Sequence, residues 1–139
     1  MKISIKYIRD PGSRDHERVV LEVTERDDIG RYILARSRYT SDKSISSGLE
    51  DVYWLPDQAV QPGDLVAVYT KPVRGKSKRN KDGSSSHFLY WSLRGPIWDE
   101  EDTVPLLFCV QDWQHRRKMT WSYCPARTSL ISTSRGRME

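Results

Sequence analysis

Alternation of apolar and polar residues with a period of two recurs along most of this 139-residue chain, and no helical stripe of any length competes with it. Residues 2–8 read KISIKYI, and residues 17–24 read ERVVLEVT, in which Val19, Leu21 and Val23 share one side. A strand with one buried face shows this pattern. The chain is about one domain long, so we expect a single core enclosed by layers of strands.

Turn signals separate the alternating segments. The sequence QPGD at residues 61–64 places proline and glycine where a type II turn needs them, and LVAVYT follows as a strand. The earlier segment VYWLP ends at Pro56, because proline has no N–H to donate to a strand ladder. Further strands are predicted at HFLYWSL and TVPLLFCVQDW. Seven or eight short strands at this spacing predict an all-β fold, either a sandwich or a small barrel.

The basic residues are concentrated in two segments. Residues 71–81 contain six basic and no acidic side chains, and residues 114–139 contain six basic and one acidic. The remainder carries eleven basic and eighteen acidic side chains, so the body of the chain is acidic although the formal net charge is +4. We therefore expect any contact with an acidic partner to lie in those two segments.

The first basic segment belongs to residues 71–86, KPVRGKSKRNKDGSSS, which we predict to be an exposed, mobile loop. Its cations suit contacts with phosphates that do not read bases, although no aromatic residue is interleaved to stack on the bases. The alternative is a solvated loop that keeps an edge strand unpaired. The candidate binding residues are Lys71, Arg74, Lys76, Lys78, Arg79 and Lys81.

Beyond Trp113 the alternation ends, and we predict a basic and aromatic C-terminal tail over residues 114–139, following a sandwich over residues 1–113. Aromatic side chains beside arginines are typical of segments that anchor to a peptide or a nucleic acid. An unstructured tail with no specific role is the alternative. The candidate anchors are Arg116, Arg117, Lys118, Trp121 and Tyr123.

Motifs that position a nucleophile, a phosphate or a catalytic metal are absent from the sequence. There is no Gly-x-Ser-x-Gly, Walker A loop, His-Glu-x-x-His or Gly-x-Gly-x-x-Gly. None of the three histidines has a cysteine or histidine at ligand spacing. We therefore expect no enzymatic activity, no cofactor and no metal.

Four consecutive carboxylates occupy residues 99–102. They could bind Ca²⁺ if the turn folded back, but consecutive residues of a strand point in opposite directions, which favours a solvated turn or an acidic docking surface. We expect Trp98, just before this run, to pack in the core. A metal-dependent hydrolase that uses Asp99, Glu100 and Asp102 is the weakest of the functional alternatives.

The two cysteines, Cys109 and Cys124, fit a buried free thiol and an unrelated tail thiol better than a disulfide, since no export signal is present. The first residues, MKISIKYIRD, alternate and carry charges, whereas a secretory signal has a continuous apolar stretch. No window approaches the roughly 18 apolar residues of a membrane span, so we expect no membrane association. The predicted location is the cytoplasm.

Three segments in order, PDQAVQPGDLVAVYT, HFLYW and IWDEEDTVPLL, resemble the second half of bacterial lamin tail domains. The family pattern is a strand ending in proline, a Pro-Gly turn, a valine-rich strand, an aromatic strand, and a tryptophan before a polar turn and a last strand. ERVVLEVT and IGRYILARS resemble the first half more loosely. The resemblance covers residues 2–113 and is strongest over residues 52–108. The chain departs from the family at its acidic run, where asparagines and a glycine are usual, and in its long basic insertion at 71–86.

The resemblance implies an immunoglobulin-like β-sandwich that binds other macromolecules and carries no catalytic residues. The first functional hypothesis is accordingly a non-enzymatic module that binds a protein partner or a second copy of itself. The alternative is sequence-nonspecific nucleic-acid binding through residues 71–81 and 115–118.

Overall fold

The computed structural model describes residues 1–72, 76–80 and 83–118, with the backbone alone for residues 76–79. The chain divides into two compact units, Met1–Cys109 and Val110–Glu139. The first unit thus ends slightly before the boundary expected from the sequence. Its strands are β1 (Ile3–Arg9), β2 (Arg18–Val23), β3 (Asp27–Asp28), β4 (Tyr32–Ser41), β5 (Ser44–Ile45), β6 (Asp51–Trp54), β7 (Ala59–Val60), β8 (Leu65–Tyr69), β9 (Lys76–Arg79), β10 (Ser85–Tyr90) and β11 (Thr103–Cys109).

Helical structure in the described part of the chain is limited to one 3₁₀ turn, Ile29–Arg31. Among those residues, no helix has the length and apolar character needed to cross a membrane. Cys109 at the end of β11 is a free, partly buried thiol. Cys124 lies outside the described residues.

The first sheet has five strands in the order β1-β2-β8-β10-β9. Neighbouring strands are antiparallel except β8 and β10, which run parallel. In the central pair, Val19 of β2 lies opposite Val68 of β8, and Leu21 lies opposite Val66. All four are buried in the core, so the side of β2 that the alternation assigned to Val19 and Leu21 is the side that faces inward.

Part of the predicted loop at residues 71–86 is a strand, so the loop prediction is wrong for those residues. β9 runs antiparallel to β10 and forms the edge of the first sheet, and β10 already begins at Ser85. An edge strand needs only one hydrogen-bonded neighbour, and lysine-rich edges are common because charge discourages pairing with a further strand. Apolar alternation therefore cannot reveal a strand of this kind.

The second sheet is centred on β4, which pairs with β11 on one side and with β6 on the other. β5 pairs with the end of β4, and β3 and β7 form a separate two-stranded ladder. On β4, Tyr32 and Leu34 belong to the core, whereas Ile33 and Ala35 lie on the opposite side of the strand.

The core contains side chains from both sheets, with Val66 from the first and Leu34 from the second among its fully buried members. The short strand β7 contributes Val60, and the segments between strands contribute Ile29, Leu55, Ile97 and Trp98. The fold is thus all-β with several sheets, as predicted, and is consistent with a β-sandwich. The described residues form eleven strands, three of them only two residues long. The packing of Trp98 in the core confirms the expectation for this residue.

Candidate functional site

Four of the six candidate cations of the first basic segment lie in the described part of the chain, and all four belong to or closely follow strands of the first sheet. Lys71 lies two residues after the last residue of β8, is half-buried, and places its Nζ 5.2 Å from the centre of the Tyr69 ring. The backbone of β9 carries three further candidates, Lys76, Lys78 and Arg79. The remaining two, Arg74 and Lys81, lie outside the described residues.

The candidate residues of the tail belong to the second unit, whose described part ends at residue 118. Its three basic candidates are exposed: Arg116, Arg117 and Lys118. Close to them in sequence, Trp113 stacks on His115 with ring centres 5.6 Å apart. The two predicted aromatic anchors, Trp121 and Tyr123, lie outside the described residues.

The outer side of the first sheet carries a row of cationic and aromatic residues that the sequence reasoning did not find. The strand registers align Arg9 with Arg18, Arg18 with Tyr69, and Tyr69 with Tyr90, across four neighbouring strands. Paired residues point to the same side of a sheet. Val68, which precedes Tyr69, faces the core, so this row faces outward.

A second row lies two residues away from the first on each strand. It aligns Tyr7 with Val20, Ala67 and Phe88 in the same way. Val20 and Ala67 are buried but do not belong to the cluster of core side chains between the sheets. We call the surface formed by both rows the aromatic face. Its large side chains are Tyr7, Arg9, Arg18, Tyr69, Phe88 and Tyr90.

Tyr69 is the centre of the aromatic face. Its ring stacks on Tyr90 with ring centres 5.2 Å and planes 20° apart, and its centre lies 6.3 Å from that of Phe88. Two cations flank the same ring: the Arg18 guanidinium carbon lies 5.3 Å and Lys71 Nζ lies 5.2 Å from its centre. Cation–π attraction favours both positions. The surface therefore combines flat rings with positive charge at contact distance.

The outer strand β1 extends this combination. Tyr7 is exposed, and its ring centre lies 5.5 Å from the Arg9 guanidinium carbon and 5.9 Å from Lys6 Nζ. Burial raises the pKa of Tyr90 above its ordinary value, and the neighbouring Tyr69 raises it further. The Tyr90 phenol is therefore uncharged at neutral pH and does not offset the positive charge of the face.

A pocket of about 580 Å³ opens at the end of the first sheet where β8 and β10 finish and the chain turns from β1 into β2. It is lined by Arg14, Asp15, Lys71, Pro72, Leu93, Arg94 and Gly95. We call it the basic pocket, because three of these residues are cationic and one is anionic. Lys71 belongs to the pocket and also contacts Tyr69, so the pocket adjoins the aromatic face.

Glu17 is the residue that holds the connections around the basic pocket together. Its side chain is buried, with the residue only 1% exposed, and its carboxylate accepts four hydrogen bonds. Oε1 accepts from the amides of Gly12 at 2.8 Å and Trp98 at 3.1 Å. Oε2 accepts from Thr70 Oγ1 at 2.6 Å and from the Ile97 amide at 2.9 Å. A buried carboxylate is tolerated when it is satisfied in this way, and here it ties three separate connections to one point.

Sequence reasoning missed Glu17, because its role depends on partners far away in the chain. Thr70 and Ile97 follow Glu17 by 53 and 80 residues. In the sequence Glu17 is simply a charged residue before a strand, which is where solvent-exposed glutamates are common. No local pattern distinguishes it from an exposed side chain.

A second buried carboxylate fixes the turn before β8. Gly63 has a φ of +91°, which glycine adopts readily and which fits the predicted type II turn. Asp64 accepts hydrogen bonds from the amides of Gln61 at 3.0 Å and Ser85 at 2.8 Å, and its Oδ2 lies 3.2 Å from His87 Nε2. Burial acts to raise the pKa of Asp64, but the hydrogen bonds and His87 together lower it below its ordinary value. The carboxylate thereby links the turn to β10.

Two of the four carboxylates of the acidic run at residues 99–102 form ion pairs, so the turn is not only solvated. Arg38 Nη1 on β4 lies 2.8 Å from Glu100 Oε2 and 2.8 Å from Asp102 Oδ1, and Arg38 Nε lies 2.7 Å from Glu50 Oε2. Within the described residues, no group of three or more His, Cys, Asp or Glu side chains is arranged to hold a metal ion. The docking-surface alternative for this turn stays a prediction.

The outer side of the second sheet differs in chemistry. The registers align Ile33 on β4 with Trp54 on β6 and Phe108 on β11, with Val52 and Leu106 in the next row. Val52 is 53% and Phe108 is 40% exposed. We call this surface, formed by these five residues, the apolar face.

No family model matches the chain, and no curated protein or solved structure matches it.

Proposed function

We propose that the chain is a non-enzymatic interaction module with an immunoglobulin-like sandwich of the lamin tail type, and that it binds single-stranded nucleic acid through the aromatic face. The observation that carries this proposal is the Tyr69 cluster, in which three stacked or tilted rings share a sheet surface with Arg18 and Lys71. Proteins that bind single strands without sequence preference combine aromatic platforms for bases with cations for phosphates.

A single strand fits this surface better than a duplex does. Its bases are free to lie on Tyr7, Phe88 or Tyr90, whereas duplex bases are stacked on each other and present only their edges in the grooves. Stacking is available to every base, so we expect little dependence on sequence. The cations beside the rings are placed to contact the phosphates between successive bases.

The basic strand β9 lies next to the aromatic face in the same sheet. Its pairing with β10 places Lys76 opposite Phe88 in the register. The candidate cations of β9 therefore adjoin, through the backbone of one sheet, the aromatic residues that the sequence did not connect with them. This supports an extended strand-binding surface that runs from β1 to β9.

Fluorescence anisotropy with a labelled oligothymidylate of about 15 nucleotides tests the proposal. The unlabelled duplex of the same length should compete at least tenfold less well. Replacing Lys76 and Lys78 by glutamine should flatten the salt dependence of log K by about 0.7 for each phosphate contact removed. Arg26→Gln with Lys43→Gln is the control, because it removes the same charge from exposed positions outside the aromatic face. Absence of oligonucleotide binding at about 50 mM salt contradicts the proposal.

The apolar face supports a second candidate function, which is binding of a protein partner or of a second copy of the chain. Exposed Val52 and Phe108 lie on a sheet surface without charged neighbours in the same rows. Apolar surface clusters of this kind are typical of protein interfaces. Sedimentation of the pure chain over a range of concentrations, before and after nuclease treatment, tests self-association. Association that nuclease abolishes would contradict this candidate.

A further inference from the structure

The basic pocket has an excess of positive charge that ion pairs among the described residues do not neutralise. In the described part of the chain, neither Arg14 nor Arg94 forms an ion pair, whereas Arg18, Arg36 and Arg38 all do. Asp15 is the only carboxylate among the lining residues. Unpaired guanidinium groups around a concave site are suited to an anion, and arginine matches the geometry of phosphate oxygens.

The pocket is also held in place before any ligand arrives. Glu17 bonds Gly12 on one side of Arg14 in the chain and Thr70 immediately before Lys71. The Leu93 amide, next to Arg94, donates to the carbonyl of Thr70 at 2.9 Å. Each of the three cations is thus within two residues of a hydrogen bond in one buried network. A preorganised site loses less conformational entropy on binding than a flexible one does.

A second pocket of the molecule is acidic, so positive charge distinguishes the basic pocket from it. The pocket of about 430 Å³ beside the acidic turn is lined by Tyr39, Thr40, Ser41, Asp42, Glu101 and Asp102. Its carboxylates would repel the anion that the basic pocket attracts. The two concave sites therefore have opposite charge and lie on different sheets.

We propose that the basic pocket binds a phosphate monoester, namely the terminal phosphate of a nucleic-acid strand whose bases lie on the aromatic face, an inference that rests on the proposed function. Lys71 connects the two surfaces, because it lines the pocket and lies against Tyr69. A terminal monoester carries about −1.5 to −2 charges at neutral pH, since its second pKa is about 6, whereas each internal diester carries one. Three cations at the pocket favour the more highly charged group.

The test compares one oligothymidylate in three forms: with a 5′-phosphate, with a 3′-phosphate and with hydroxyl groups at both ends. We expect one of the two phosphorylated forms to bind roughly five- to tenfold more tightly than the hydroxyl form. Arg14→Gln combined with Arg94→Gln should abolish that preference and reduce the affinity for the hydroxyl form by less than about twofold. The charge-matched control, Arg26→Gln combined with Lys43→Gln, should keep the preference.

Equal affinity for all three forms, measured while the hydroxyl form binds, overturns the terminal-phosphate inference and leaves the proposed function standing. Titrations with thymidine 5′-monophosphate and thymidine 3′-monophosphate alone test the opposite case, in which the pocket binds a phosphate but the protein binds no strand. If no oligonucleotide form binds but a monophosphate binds and requires Arg14 and Arg94, the pocket recognises a monoester and the strand-binding function is wrong. Thermal unfolding of each variant, expected to match the unmodified chain, shows that a loss is not due to misfolding.

Discussion

The outer faces of the two sheets are built by the same rule and have opposite chemistry. In both sheets, every second residue of the central strands faces the core, and the residues between them face outward. On the first sheet the outward rows contain Arg18, Tyr69 and Tyr90, whereas on the second they contain Ile33, Val52 and Phe108. The inward residues account for the fold, and the outward residues determine which partner each face can accept.

The loops at the ends of the sheets show the same division. Around the first sheet, a buried carboxylate, Glu17, ties the connections together and leaves Arg14 and Arg94 without ion pairs in the described part of the chain. Around the second sheet, Arg38 forms surface ion pairs with three carboxylates. Beside the first sheet, a buried carboxylate thus supports a site that stays cationic, whereas beside the second sheet the charge of Arg38 is neutralised by ion pairs within the fold.

The largest change in the free energy of unfolding is expected from Glu17→Ala. This change leaves four buried donors without their acceptor, and each lost hydrogen bond to a charged group is worth about 1.5 kcal/mol or more, so the free energy of unfolding should fall by about 3–5 kcal/mol. Urea denaturation followed by tryptophan fluorescence measures it. Arg38→Gln on the second sheet is the comparison, and it should have a clearly smaller effect because its ion pairs are solvent-exposed. Equal losses from the two variants would contradict the difference drawn between buried and exposed charge.

The next effect concerns the aromatic face. Tyr90→Leu keeps apolar bulk but removes a ring, so affinity for oligothymidylate should fall by about 1 kcal/mol, or roughly fivefold, as expected for one lost base stack. Phe108→Leu makes the same kind of change on the apolar face and should leave this affinity unchanged. Anisotropy titrations of both variants at one salt concentration provide the measurement. A similar loss from both variants would show that the two faces do not differ in the way proposed.

The residues that face the core could be predicted in part from the sequence. Alternation placed Val19, Leu21 and Val23 on one side of a strand, and all three belong to the core, because burial of one strand face has a local, period-two signature. The Pro-Gly turn was equally local, since Gly63 adopts the positive φ that the turn requires. Both features depend on residues within a few positions of each other.

The outward faces could not be predicted from the sequence, because the side chains that meet there depend on the register between distant strands. Tyr69 and Tyr90 belong to strands that are separated in sequence by the whole of β9, and only their parallel pairing brings the two rings together. Sequence reasoning judged the basic segment to lack aromatic neighbours, since it compared residues along the chain instead of across the sheet. Glu17 escaped notice for the same reason, as its acceptor atoms serve donors from three connections.

Acid sensitivity provides a smaller effect that both sheets should share. The pKa of Asp64 beside the first sheet and of Asp27, which accepts a hydrogen bond from Tyr32 Oη of the second sheet at 2.7 Å, are both lowered in the folded chain. For both, burial acts in the opposite direction and is outweighed by hydrogen bonds and by neighbouring groups, which are His87 for Asp64 and Arg31 and Lys2 for Asp27. A carboxylate with a lowered pKa in the folded state stabilises the fold above its unfolded pKa, and this contribution disappears as the pH falls through the folded value.

We therefore expect the free energy of unfolding to decrease as the pH is lowered below about 4, the ordinary pKa of an aspartate. Asp64→Asn and Asp27→Asn should each reduce the slope of this decrease, since each removes one of the protons taken up on unfolding. Urea denaturation at a series of pH values measures the slope, and Asp42→Asn, at an exposed position, is the control. Unchanged slopes in both variants would mean that neither carboxylate has a lowered pKa in the folded chain.

The smallest effect on stability is expected from substitutions on the apolar face. The same substitutions distinguish protein binding from nucleic-acid binding most clearly. Val52→Thr combined with Phe108→Ser removes exposed apolar surface, so the free energy of unfolding should change by no more than about 0.5 kcal/mol for each position. If the face binds a protein or a second copy, concentration-dependent association should be lost while oligothymidylate affinity is retained. The reverse outcome, in which association persists and oligonucleotide affinity falls, would assign nucleic-acid contacts to the second sheet. The two faces would then form one continuous binding surface instead of two independent ones.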